Sequence, residues 1–246
     1  MKTHWREISL ISIIMISLVM MMNLQPIIQD LSYHDFADDR QFFGVPKFFN
    51  VISNIPFALF GIIGVLYCRN FRRKEADWSW MTLFIGVTLV SIGSGYYHLN
   101  PGNDTLVWDR LPMTIGFMGL FIAILSEYVN PKIETYFLVP AILLGLLSVL
   151  IWQLTDDLRF YIWVQFFPIL SIPIVLWLYK SRYTHVRFLL YALIFYLFAK
   201  LFEFYDSGIF SLLWEQFSGH SLKHILASLS VLSLYVMLKK RELVQR

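Results

Sequence analysis

Eight apolar, almost uncharged runs separated by short charged links leave this chain little choice of solvent. Each run approaches the ~20 residues that carry a helix across a hydrocarbon core. In lipid every backbone polar group must be satisfied internally, so such runs can cross only as helices or as strands of a closed barrel. With 57% hydrophobic and only 15% charged residues and a mean hydropathy of +0.60, the 246-residue chain is too apolar for a water-soluble domain. The expected fold is all-α, a polytopic membrane helix bundle.

The first run lies between Glu7 and Asp30. It ends in Asn23-Leu24-Gln25-Pro26, with no small-x-small cleavage pattern after it, so residues 1–29 read as a retained N-terminal signal-anchor helix. Residues 30–46 form a polar loop containing His34, Asp35, Asp38, Asp39 and Arg40. Residues 47–246 then hold seven further spans, and these form the expected catalytic core. They lie near Lys47–Arg69, Ser79–His98, Asp109–Ser126, Thr135–Gln153, Phe160–Tyr179, Phe188–Tyr205 and from Gly219 to Lys239. Asn100-Pro101-Gly102-Asn103-Asp104 reads as a turn.

Loop charge orients the bundle. With the N-terminus in the cytoplasm, most of the 20 Lys and Arg fall inside, among them Arg69, Arg72, Arg73, Lys74, Lys132, Lys180, Arg182, Arg187, Lys239, Lys240 and Arg241. Asp35, Asp38, Asp39, Asp104, Asp156, Asp157, Asp206 and Glu215 fall outside. Both termini are therefore expected in the cytoplasm, in a bacterial plasma membrane. The basic residues sort by loop and form no nucleic-acid face. The one cysteine, Cys68, excludes an intramolecular disulfide or a Cys-rich cluster, so a bound metal must be held by His and carboxylate.

Two short stretches carry chemistry, Ser94-Gly-Tyr-Tyr-His98 and His220-Ser-Leu-Lys-His224. Each is an i,i+4 pair and on a helix occupies one face, about 6 Å apart along the axis. By span direction His98, His220, His224, Ser94 and Asp109 all fall in the outer part of the bilayer. Three imidazoles can hold a zinc ion with one position open, the catalytic rather than the structural arrangement. Each residue also has a plainer reading: Ser94 between two glycines as a packing residue, and Asp109 as a helix cap. Lys200 and Glu203 read as an i,i+3 pair, and His4, His34 and His185 as solvated residues in flanks or loop.

With these residues in view, the sequence resembles the alkaline ceramidase family and, more distantly, the superfamily that includes the progestin and adiponectin receptors. The resemblance rests on Asn50-x-x-Ser53-Asn54, on Ser94-x-x-x-His98, on Asp109 within Trp108-Asp-Arg-Leu-Pro112, and on His220-x-x-x-His224, in that order along the chain. It implies zinc held by His98, His220 and His224, with Ser94 and Asp109 as catalytic residues. The implied reaction is hydrolysis of the N-acyl amide of ceramides to a sphingoid base and a fatty acid. The first helix is additional to the family's seven-helix core. Where the family carries a calcium-binding glutamate this chain has Lys47, which argues against Ca2+ despite Asp35, Asp38 and Asp39 nearby.

Three functions fit this reading: a metal-dependent amidase whose partner is a ceramide-like lipid of the bilayer, a receptor or sensor with structural zinc, and an esterase acting on glycerolipids. A metal transporter fits least, since the candidate ligands all lie on one side.

Overall fold

The computed structural model describes residues 4–70 and 76–244. The basic residues Arg72, Arg73 and Lys74 and the terminal Arg246, which bear on the orientation argument, lie outside the described residues. The helices are α1 (Trp5–Met22), α2 (Phe48–Ile52), α3 (Ile55–Asn70), α4 (Asp77–Leu99) and α5 (Asn103–Tyr128), followed by α6 (Lys132–Thr155), α7 (Arg159–Leu178), α8 (Arg187–Phe204), α9 (Asp206–Leu212) and α10 (Gly219–Lys240). A 3-10 turn spans Leu31–His34. Among the described residues there is no β-strand. Among the described residues, seven helical stretches are long and apolar enough to cross a membrane, and an eighth is gained if α8 and α9, bent by 87°, count as one. The chain is thus an all-α bundle and a multi-pass membrane protein.

α4 and α5 pack against each other along much of their length. Gly93 explains how close: a Cβ there would stand 1.9 Å from the carbonyl oxygen of Trp108, inside any permitted contact. At the far end of the same crossing a Cβ on Gly119 would meet the Leu83 nitrogen at 2.6 Å. Small residues let the backbones touch, which replaces the hydrophobic drive that helices lack in lipid. Around this pair α3 packs on α4, α6 and α7 pack on α5, and α10 lies between α3 and α8. Hydroxyls stitch α10 to α8, with Ser230 Oγ donating to the Ala192 carbonyl at 2.8 Å and Ser233 Oγ to that of Phe188 at 2.9 Å. α7 and α8 scarcely touch: Gln165 Nε2 donates to the Tyr196 hydroxyl at 3.3 Å, and Lys200 Nζ lies 5.9 Å from the Phe166 ring centroid.

A buried ion pair closes the end opposite the histidines. Glu127 on α5 accepts from Arg241, just past α10, at 2.7 and 2.8 Å, and from the Trp80 indole at 2.7 Å. Arg241 also lies over the Tyr183 ring, 4.3 Å from its centroid.

α1 packs on α7 outside the core. There Arg159 donates to the Met22 and Leu24 carbonyls at 2.8 and 2.6 Å while also pairing with Asp157. The guanidinium holds the Asp157 carboxyl below the usual carboxylate range.

Three elements differ from the sequence expectation. The span expected from Asp109 starts at Asn103, so Asp109 lies inside α5 and is not its cap. The polar residues there stay helical because neighbours cover them: Arg110 donates to Gln29 Oε1 at 2.6 Å and lies on the Trp152 and Tyr161 rings, 4.0 and 4.7 Å from their centroids. The span from Lys47 is broken at Ser53-Asn54 into α2 and α3. His34, expected in solvent, is half-buried between the Tyr97 hydroxyl at 2.8 Å and Asn103 Oδ1 at 2.9 Å.

Candidate metal and active site

α4 ends at Leu99, which places His98 on its last turn, and α10 begins at Gly219, which places His220 and His224 on its first two turns. The structure brings the three imidazoles together: one nitrogen from each lies within 4.8 Å of the others, and all three rings are buried. Among the described residues this is the only such group of three potential ligands. Ring centroids stand 4.9 to 5.1 Å apart.

Local chemistry holds the first turn of α10 in place. Ser218 caps α10, its hydroxyl accepting from the Ser221 N–H at 3.0 Å. Asp206 Oδ1 accepts from the His220 N–H at 2.7 Å, while Asp206 Oδ2 takes the Ala37 N–H at 2.9 Å, so one carboxylate joins the loop to the first turn of α10. Gly219 makes this possible, since a Cβ there would stand 2.3 Å from the Phe202 carbonyl oxygen. Asn50, fully buried, accepts from the Ser221 hydroxyl at 2.7 Å. Phe36, from the loop before α2, lies edge-on against His98 and His220 at 4.8 and 4.4 Å.

The break between α2 and α3 delivers Ser53. Its hydroxyl donates to the Asn50 carbonyl at 3.1 Å, so at 2.7 Å His224 Nδ1–H donates to Ser53 Oγ. That tautomer leaves the lone pair on His224 Nε2, a buried atom with no partner. An unmet buried acceptor costs about 1–3 kcal/mol, which a cation would relieve. His98 and His220 point Nε2 at Nε2, 3.3 Å apart. That separation matches the edge of a tetrahedron with metal–nitrogen bonds of about 2.0–2.1 Å. The residues therefore fit a metal ion, and imidazole donors suit zinc among other transition metals. One contact competes: Lys223 Nζ lies 3.3 Å from His220 Nε2.

Ser94 on α4 directly follows Gly93, and Asp109 on α5 directly follows Trp108, so the close backbone approach of Gly93 to Trp108 brings Ser94 and Asp109 to one crossing. Both are buried and, with His224, line one end of a cavity of about 410 Å³. The rest of the cavity is mostly apolar, bounded by α4, α5, α7, α8 and α10, and reaches Leu176 and Arg187 near the opposite end of the bundle. That volume and lining suit a lipid chain.

Several residues around the site carried no assigned role on sequence grounds. Ser53 and Asn50 are polar residues in an apolar run, a signal that deserved weight. Lys223 lies between the two histidines, and its partner Glu203 was paired only with Lys200. Both lysines bind Glu203, Lys223 at 3.1 Å, and the Tyr33 hydroxyl donates to it at 3.3 Å. Phe36 and Asp206 leave no local trace. Of the loop carboxylates, Asp38 is buried and spent on Arg40, at 2.7 and 2.8 Å, while Arg40 also donates to the Gln216 carbonyl.

Fold and site together define a polytopic membrane protein with a buried three-histidine centre, one of whose members, His224, lines a lipid-sized apolar cavity. The sequence profile of the ceramidase family matches residues 44–245, and the chain belongs to that family, whose members hydrolyse amide bonds. The match begins after α1. No functionally curated protein matches the chain in sequence.

Proposed function

We propose that this protein is a zinc-dependent lipid amide hydrolase that cleaves the N-acyl amide of ceramide-like lipids to a sphingoid base and a fatty acid. The single observation that carries this reading is that the buried three-histidine group meets, through His224, one apolar cavity that Ser94 and Asp109 also line. Membership of the ceramidase family supplies the reaction class.

His98, His220 and His224 would hold zinc, with Ser53 fixing the His224 tautomer from behind. When bound, zinc lowers the pKa of water towards 7 and polarises an acyl carbonyl. Asp109 takes a proton from the attacking water and returns it to the departing amine nitrogen as the C–N bond breaks. The Ser94 hydroxyl donates to the oxyanion that forms on the acyl carbon, and is not itself acylated. The apolar walls keep bulk water from the amide and seat the hydrocarbon chains, so the substrate need not leave the bilayer. The site faces the outer side, with both termini in the cytoplasm, and α1 is a retained anchor lying on the core. With Asp38 held by Arg40 and Lys47 where a carboxylate would be needed, calcium has no part in this reading.

Purified protein incubated with acyl-labelled ceramide and with a glycerophospholipid tests it. Fatty acid released from ceramide alone, lost on chelation and restored by zinc, is the expected result. Release from the glycerophospholipid alone would make it an esterase. Release from neither, with zinc bound stoichiometrically, would make it a sensor.

A further inference from the structure

The polar end of the cavity has a second wall that the reaction does not use. It is built from Lys200 and Glu203 on α8 and Lys223 on α10, all three lining the same space as Ser94, Asp109 and His224. Glu203 has partners on both oxygens. One oxygen accepts from Lys223 at 3.1 Å and from the Tyr33 hydroxyl at 3.3 Å, and the other accepts from Lys200. Two ammonium groups against one carboxylate leave this wall one positive charge in surplus. They also leave N–H donors over, since each ammonium has three and Glu203 takes one from each. The cavity's other carboxylate, Asp109, stands on α5, and the ion pairs of Lys200 and Lys223 are both with Glu203.

An ion pair that served only to staple α8 to α10 would need one lysine, and neutrality would favour it. Keeping a second ammonium beside an apolar cavity is costly unless something there answers it. Lys200 is about a third exposed, at the rim, and Lys223 is more deeply set beside His220. The donors thus run from beside the candidate metal centre towards the cavity's edge.

We infer that this wall reads the substrate's head group, and that the protein takes lipid amides whose head carries an anion such as phosphate, sulfonate or carboxylate in preference to a neutral diol. The inference rests on the amidase reading for its substrate class. The anion would lie against Lys200 and Lys223 while the amide lies at Ser94 and Asp109 and the chains run down the apolar cavity. Glu203 holds the two ammonium groups in place and does not itself bind substrate.

The test uses full-length protein in nanodiscs and three probes: ceramide, ceramide 1-phosphate with the same chains, and the free fatty acid. Binding is measured by displacement of a fluorescent lipid from chelated protein, and hydrolysis separately with zinc. The wild type should bind the phosphorylated amide at least about tenfold tighter than ceramide, the worth of one charge-assisted hydrogen bond. Lys200→Gln and Lys223→Gln should each remove most of that preference. Equal binding of the two amides by the wild type, or a preference that survives both substitutions, overturns the inference. So does a lysine dependence confined to the fatty acid, which would assign the wall to the product carboxylate. Hydrolysis of ceramide without any preference leaves the amidase standing and this inference fallen. A lysine-dependent preference in binding with no hydrolysis of either amide leaves the anion site standing and the amidase fallen.

Discussion

Ser53 Oγ lies 2.7 Å from Nδ1 of His224, across 171 positions of sequence. The bond reaches from the break between α2 and α3 to the second turn of α10 and decides which nitrogen of the ring carries the lone pair. A ligand oriented in this way loses affinity when its orienting partner goes, typically by about 10–100-fold. Ser53→Ala should therefore weaken zinc binding by about that factor with the fold intact, as read by competition with a zinc chelator of known affinity. Unchanged affinity would make the contact a packing detail.

His224→Ala and Asp109→Asn should part company. The first removes a ligand, and both metal content and hydrolysis should be lost. The second keeps all three imidazoles, so metal content should stay at one per chain while turnover falls by about 10²-fold or more, the usual loss of a general acid–base. Metal analysis of the two purified variants, beside their rates, checks the division of labour; equal loss of metal in both would refute it.

Gly93→Ala puts a methyl 1.9 Å from the Trp108 carbonyl, and backbone rather than a flexible side chain must give way. Overpacking of this kind costs about 1–3 kcal/mol. Separation of α4 from α5 also draws Ser94 away from Asp109. The variant should melt earlier than wild type and lose activity beyond what its folded fraction explains. Melting followed by intrinsic fluorescence, with activity corrected for folded protein, tests this, and Gly95→Ala, with no atom within 4 Å of its added Cβ, is the control.

Arg241→Met should be costly at a place far from the chemistry. It takes the guanidinium from the buried Glu127 carboxylate and leaves it the Trp80 indole, and breaking a buried pair costs about 3–5 kcal/mol. Replacing both partners, as Glu127→Gln with Arg241→Met, should recover much of the loss. A double-mutant cycle on thermal stability measures it, and additive effects would show that the two groups are not coupled.

Much of this architecture was legible because lipid imposes a simple pattern: uncharged runs of the right length become helices. The ends of the helices were harder to read. Asn103 to Arg110 is polar, and a rule that starts a span after the last charge puts Asp109 at a helix start. The structure continues the helix upstream because Trp152, Tyr161 and Gln29, all distant in sequence, cover Arg110. The three histidines could be brought together from spacing and span direction alone, since two lie on one helix and the third ends another running the opposite way. What holds them could not. Ser53, Asp206 and Phe36 act across long stretches of chain, and no local pattern announces such partners. Lys200 and Glu203 show the same limit: their i,i+3 pairing is real, but the third member comes from α10.

α10 carries two of the three imidazoles and is fastened at both extremities, by Ser218 and Asp206 at one and by Arg241 at the other. His220 and His224 therefore behave as fixed teeth on a clamped bar, and the remaining freedom of the centre is the distance at which α4 brings its own imidazole up to them. A perturbation anywhere along the α4–α10 spacing, even at the remote ionic fastening, should be felt as a change in grip on the cation before it is felt as unfolding.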